Sequence, residues 1–327
     1  MNTHSLPDIH ACEIVSHSGL RLRVLNLGAT LQSVEVPTHA GVLSAILQHE
    51  RIDNYHTDTV FLGNTIGRYT NRIKAANFAL DGKAVLLDAN ENPAGNCLHG
   101  GDWGFHRRYW SLERAPDGQS ITCFYRSAHG ECGFPGNLDV TVTYRLIGEY
   151  GFGIEFEAHT DRDTVVSLTN HAYFNLDLIP TTIDTHSLAV YAGAYTPTDK
   201  HLIPTGSICD VSHTRFDLRE QSSLDRAENA GVFDHNFVLP NVGGRLQRAA
   251  ELRGADGIGM VFYTTQPGLQ VYTGEYLTEP FVPRQGLCLE SQCFPDSPNQ
   301  ADFPSAVVRA GDTYRANNVY EFSVGTL

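Results

Sequence analysis

Glu290 is the one charged residue in Gly286-Leu287-Cys288-Leu289-Glu290-Ser291-Gln292-Cys293-Phe294. The run reads as a short buried strand, and a strand interior rarely holds a carboxylate unless it is paired, hydrogen-bonded or used. Burial would raise its pKa toward the range in which a carboxylate works as a base near neutrality. A proline-rich loop follows, Pro295-Asp296-Ser297-Pro298-Asn299-Gln300, and functional residues often sit at such strand ends. The plainer alternative is a carboxylate tied to backbone amides or to an arginine.

An imidazole is the natural partner for such a group. Val165 to Leu176 reads as a strand, and its parity divides it. Val166, Leu168, Ala172, Phe174 and Leu176 form an apolar face that includes Asn170, whereas Ser167, Thr169, His171, Tyr173 and Asn175 form a polar stripe with one imidazole. The stripe either faces water or lines a polar pocket suited to a sugar-like ligand.

Two glycine-bearing segments offer further polar groups. Gly63-Asn64-Thr65-Ile66-Gly67-Arg68-Tyr69-Thr70-Asn71-Arg72-Ile73 carries two arginines four apart. Its glycines lack the spacing and the following Gly-Lys-Ser/Thr of a phosphate-cradling loop. Asn71 and Arg72 offer donors fitted to hydroxyls, although an arginine here could equally pin loops to a carboxylate. In Cys97-Leu98-His99-Gly100-Gly101 a histidine sits at a turn whose glycines allow positive φ and close ligand approach. Trp103 and Trp110 follow, as sugar-stacking faces or as core.

The elements that position these groups are strands. Period-two alternation marks Leu22 to Leu27, Leu31 to Val36, Asp139 to Leu146, Phe152 to Ala158, Met260 to Thr264, Leu269 to Thr273 and Val319 to Val324. Helical periodicity is scarce, and the best candidate is Leu218 to Asn229. With thirty glycines and fifteen prolines punctuating short apolar stretches and no linker visible, the expectation is an all-β chain: a large antiparallel β-sandwich with few short helices, one domain over residues 1–327. A net charge of -14 speaks against nucleic-acid binding. Met1 to Val15 lacks the basic-then-apolar order of a secretory signal, and no apolar run reaches membrane-span length. Seven irregularly spaced cysteines without a C-x-x-C pair point to reduced thiols and a cytoplasmic protein.

Taken together and in order, Gly67-Arg68-Tyr69-Thr70-Asn71-Arg72-Ile73, Leu98-His99-Gly100-Gly101 with Gly104-Phe105, Asn170-His171-Ala172-Tyr173-Phe174-Asn175-Leu176, Asp234-His235-Asn236-Phe237, and Leu289-Glu290-Ser291-Gln292 with Pro295-Asp296 and Asn299-Gln300 resemble the aldose 1-epimerase (galactose mutarotase) family. The resemblance implies a galactose mutarotase-like supersandwich with the sugar in an open cleft. It implies His171 as general acid, Glu290 as general base, and Asn71, Arg72, His99, Asp234 and Gln270 as groups that hold sugar hydroxyls or the ring oxygen. Thr70 stands where alanine is common and Ala172 where serine is common; neither touches a proposed catalytic group. Whether His235, beside Asp234, contributes is left open.

The implied reaction interconverts the α and β anomers of free aldohexoses such as galactose and glucose. One group takes the anomeric hydroxyl proton, another protonates the ring oxygen, and reclosure reverses the roles. It calls for no cofactor and no metal, and its partner is a monosaccharide. The chain is expected as a monomer or homodimer. A glycoside hydrolase using Glu290 and Asp234 would leave His171 without a task. A non-catalytic sugar-binding module would not need an acid–base pair. An epimerase of another aldose, or of hexose 6-phosphates, would be a third alternative, the last needing a basic cluster. A metal held by His99, His171 and Glu290 is a fourth.

Overall fold

The computed structural model describes residues 7–226, 232–240 and 243–324. Two large antiparallel sheets face one another. The larger has nine strands, in spatial order Ser111–Arg114, Ser120–Ser127, Leu138–Ile147, Gly151–Thr160, Thr313–Ser323, Gly259–Thr264, Gln247–Arg253, Ser187–Val190 and Ser222–Ser223. The smaller has six, in order Tyr173–Phe174, Leu287–Gln292, Gly268–Tyr272, Asp234–Val238, Ala194–Thr196 and Cys209–Asp210. A four-stranded N-terminal sheet, Ala11–Val15 to Gly41–Ser44, packs its Ile14, Leu22, Val24, Val34 and Val36 into the same core.

Alternation builds the interior between the sheets. Leu138, Val140, Val142, Tyr144 and Leu146 are buried while the residues between them are not, and Ile154, Phe156, Phe262 and Tyr320 add to the same cluster. The smaller sheet contributes Phe237, Leu269, Val271, Leu287 and Leu289. Two contacts couple the layers: Phe174 meets the Tyr320 ring at 5.4 Å, and Ser291 Oγ donates to Asn318 Oδ1 at 2.7 Å.

Six of the seven alternating strands are present within two residues of the expected bounds, and the seventh, expected from Val319, already begins at Thr313. Two expectations are corrected. Val165 to Leu176 is not one strand but three short pairings, Thr164–Val165, Thr169–Asn170 and Tyr173–Phe174, each with a different partner. Both of its faces are buried, so the polar stripe does not meet bulk water. Leu218 to Asn229 is not helical over 218–225: Ser222–Ser223 pair with Ser187–Val190 as the sheet edge, and Leu218 O accepts from Val190 N. Serines gain more there from closing an exposed ladder than from helix, for which their propensity is low. Residues 227–229 of that stretch lie outside the described residues.

Of the two arginines four apart, Arg68 is the one that pins loops. Its guanidinium is 2% exposed and donates to Ser127 Oγ at 2.8 Å and to the carbonyls of Ser127, Ala128, Pro135 and Gly136 at 2.7–3.2 Å. Arg68→Ala would leave these carbonyls buried without donors. We expect a loss of about 3 kcal/mol or more of stability, read as a lower urea midpoint, and only partial recovery in Arg68→Lys, whose ammonium cannot reproduce the fork.

Candidate active site

Strand Leu287–Gln292 sets the base. Leu287, Leu289 and Ser291 point into the core, so Cys288, Glu290 and Gln292 point to the opposite face of the sheet. Register carries this face sideways. Cys288 lies opposite Tyr173 on one side and Tyr272 on the other, and Tyr272 lies opposite Asp234. In the next row Glu290 lies opposite Gln270, which lies opposite Asn236. The face is roofed by residues 59–61 and by the segments around Asn71 and His99, so Glu290 is only 2% exposed.

His171 precedes Tyr173 by two residues and enters the same space from irregular backbone. Its N–H donates to Asn64 O and its carbonyl accepts from Gly63 N. Asn71 and His99 both have positive φ, 65° and 53°, and brace each other: Asn71 N donates to His99 Nδ1 at 3.2 Å, and His99 N donates to Asn71 O at 3.1 Å. The turn requires Gly100, with φ 83°, because a Cβ there would sit 2.1 Å from Gly67 O. Arg72 reaches the cleft held by Glu91, with Nε to Oε1 and Nη2 to Oε1 both at 2.8 Å. Asn96 donates to the other Glu91 oxygen at 2.9 Å.

These groups line a cleft of about 140 Å³ with Thr59, Val60, Phe61, Leu98, Tyr173, Tyr272, Tyr276 and Asp234. Six of the seven residues expected at the site converge there: Glu290, His171, Asn71, Arg72, His99 and Asp234. Gln270 shares the row of Glu290. It is 3% exposed, donates through Nε2 to Asp234 Oδ1 at 2.6 Å, and accepts from Gln292 at 3.4 Å. Its amide thereby aims Asp234. His235 points to the other side of its strand, with its ring 4.7 Å from Phe216 and its Nδ1 accepting from Asp234 N. Trp110 fills core against Phe105 and Tyr125, and the exposed Trp103 lies outside the cleft lining. Phe61 and Tyr276 were not anticipated. Phe61 packs on the rings of His99 and His171 at 4.7 and 5.7 Å; Tyr276 stands 69% exposed at the cleft mouth, stacked on Tyr272.

Glu290 Oε1 lies 3.8 Å from His171 Nε2, beyond hydrogen-bond reach, and buried Oε2 has no hydrogen-bond partner in the protein. Burial, reinforced by Asp234 and opposed by Arg72, pushes the Glu290 carboxyl up to about 8. Burial pushes His171 down to about 4. Burial, with His171 and Arg72 nearby, also holds His99 well below the ordinary histidine range. Because His99 Nδ1 already accepts a backbone N–H, its neutral ring carries the proton on Nε2. His99 is thus a fixed donor.

His99, His171 and Glu290 bring ligand-type atoms within 4.8 Å of one another, a donor set that zinc could use. The His99 tautomer does not fit a metal: Nδ1 is occupied by the Asn71 amide and Nε2 holds a proton. The cluster is arranged to handle protons.

An antiparallel sandwich whose smaller sheet presents a buried carboxylate facing an imidazole, ringed by polar side chains and tyrosines, fits an enzyme of the carbohydrate isomerase kind. Residues 11–321 match the aldose 1-epimerase family model. The chain is 35% identical to the aldose 1-epimerase of Escherichia coli, covering 94% of this chain and 93% of that one. It is 36% identical to the galactose mutarotase of Mus musculus, over 93% and 92%. A solved aldose epimerase homologue from C. elegans superposes with TM-score 0.89 at 28% identity, over 97% and 99%. The chain belongs to the aldose 1-epimerase family.

Proposed function

We propose that this protein interconverts the α and β anomers of free aldohexoses, galactose and glucose among them, with Glu290 as base and His171 as acid. The observation that carries the reading is the separated pair: Glu290 Oε1 and His171 Nε2, 3.8 Å apart in a buried cleft. The gap suits two oxygens bonded to one carbon. Glu290 takes the proton from the anomeric hydroxyl while His171 gives one to the ring oxygen, and the C1–O5 bond breaks. The aldehyde turns about C1–C2, and the same two protons return as the ring closes on either face. Arg72, Asn71 and the Nε2–H of His99 steady the ring-oxygen side. Asp234, aimed by Gln270, accepts from a sugar hydroxyl.

The same cleft favours unphosphorylated sugars. Among the described residues lining it, Arg72 is the one guanidinium or ammonium group, and Glu91 already holds it. Exchange between α and β anomeric proton signals by NMR tests this: galactose and glucose should show catalysed exchange, and their 6-phosphates much less. Faster exchange for the phosphates would overturn the preference. Among the described residues no helix is long and apolar enough to cross a membrane. The proposal is a cytoplasmic enzyme of one catalytic domain, which seven free cysteines support.

The two shifts predict the pH profile. With Glu290 near 8 and His171 near 4, the pair holds one proton between those values, resting mostly on Glu290; the form that reacts has that proton on His171 and Glu290 ionised. Below about 4 both groups are protonated and no base remains; above about 8 neither is and no acid remains. kcat/KM should be bell-shaped, with limbs near 4 and 8 that belong to the pair. A profile flat from pH 5 to 10 would contradict it.

A further inference from the structure

Each cleft histidine uses its second ring nitrogen differently. The Nδ1 of His99 accepts an amide proton that cannot move, whereas the Nδ1 of His171 faces the thiol of Cys288, Sγ to Nδ1 3.5 Å. A thiol both accepts and donates weakly. Cys288 is fully buried, two residues before Glu290 on the same face of the strand, and clamped between Tyr173 and Tyr272 on the neighbouring strands. The rings of Phe61, Tyr173 and Tyr272 at 5.1–6.4 Å and that of His99 at 5.4 Å complete the surroundings of His171.

We infer that Cys288 is a positioning residue: its sulfur accepts the Nδ1 proton of His171, leaving Nε2 as the one ring nitrogen that exchanges a proton with the sugar. The inference rests on the acid role of His171. When an imidazolium gives up its Nε2 proton, the neutral ring left behind is the Nδ1–H form. Nδ1–H is therefore present before and after the transfer, and throughout it needs an acceptor. The bond Nε2–H breaks and the bond O5–H forms; the thiol keeps its own proton and changes no charge. The other tautomer, with the thiol donating to a bare Nδ1, would put a fixed proton on Nε2, as in His99, and donation from it would leave an imidazolate.

Nitrogen NMR of histidine-labelled protein at pH 7 reads the tautomer directly. Wild type should show His171 with a protonated Nδ1 and a bare Nε2. Cys288→Ala should give a mixture of tautomers and lower kcat by about ten- to a hundredfold, the scale of one lost hydrogen bond to a charged group, with KM nearly unchanged. Cys288→Ser, which keeps an acceptor, should restore both readouts. A wild-type spectrum with Nδ1 bare and Nε2 protonated would overturn the inference even if Cys288→Ala does not fold, and so would Cys288→Ala with unchanged tautomer and turnover. If His171→Asn kept full turnover, the acid assignment would fail instead, whatever the tautomer.

Discussion

Glu290→Gln should lower kcat by about 10²–10⁴-fold, the usual contribution of one positioned proton transfer, while the protein becomes more stable. The amide keeps the shape and cannot accept the anomeric proton. The stability gain follows from linkage. The folded carboxyl titrates near 8, above its ordinary 4.5, so between those values the folded state binds a proton the unfolded chain has lost. Stability is then full below about 4.5 and falls as pH rises toward 8. Glutamine removes that slope, and at neutral pH the variant should melt a few degrees higher. Thermal unfolding of both proteins at pH 5 and pH 8 checks this: the gap should widen at the higher pH. Near-normal turnover would end the assignment of Glu290 as base.

His171→Asn should cost a similar about 10²–10⁴-fold in kcat, with a small change in KM, because asparagine can still donate a hydrogen bond but has no proton to exchange. Its stability signature has the opposite sense. His171 titrates near 4 instead of 6.5, so in that window the unfolded chain binds a proton that the folded state refuses, and wild-type stability falls as pH drops from about 6.5 to 4. The variant should lose that acid-side sensitivity. Since the two groups act on one substrate in one step, the double variant should be scarcely slower than the worse single variant. Multiplied losses would mean the two work independently.

Much of this was legible in the residues, and what was not has physical causes. Period two identified the long strands because each has one buried face. Within Leu287–Gln292, where both sides are buried, composition marked Glu290 as the exception, and the fold turns it away from Leu287 and Leu289. The His171 stretch failed as one strand because its pairing partner changes every few residues, which alternation cannot register. Arg68 and Arg72 looked equivalent four residues apart; only the fold shows one bound to five backbone and hydroxyl oxygens and the other turned to the cleft. For Gln270 the fold adds what its position in the sequence does not register: it pairs opposite Glu290 and makes a 2.6 Å bond to Asp234. Phe61 reaches the histidines from a loop with φ 58°, a backbone state that phenylalanine does not advertise. Tyr276 carried one available signal: with Tyr272 it forms a pair four apart just beyond a strand end, beside the acid-bearing segment.

The most direct test is polarimetry of freshly dissolved α-D-galactose and α-D-glucose in weak buffer, with and without the protein, since ordinary buffer acids and bases also catalyse the change. The account predicts a faster approach to the same final rotation, abolished in Glu290→Gln. A folded sample that accelerates neither sugar would contradict it.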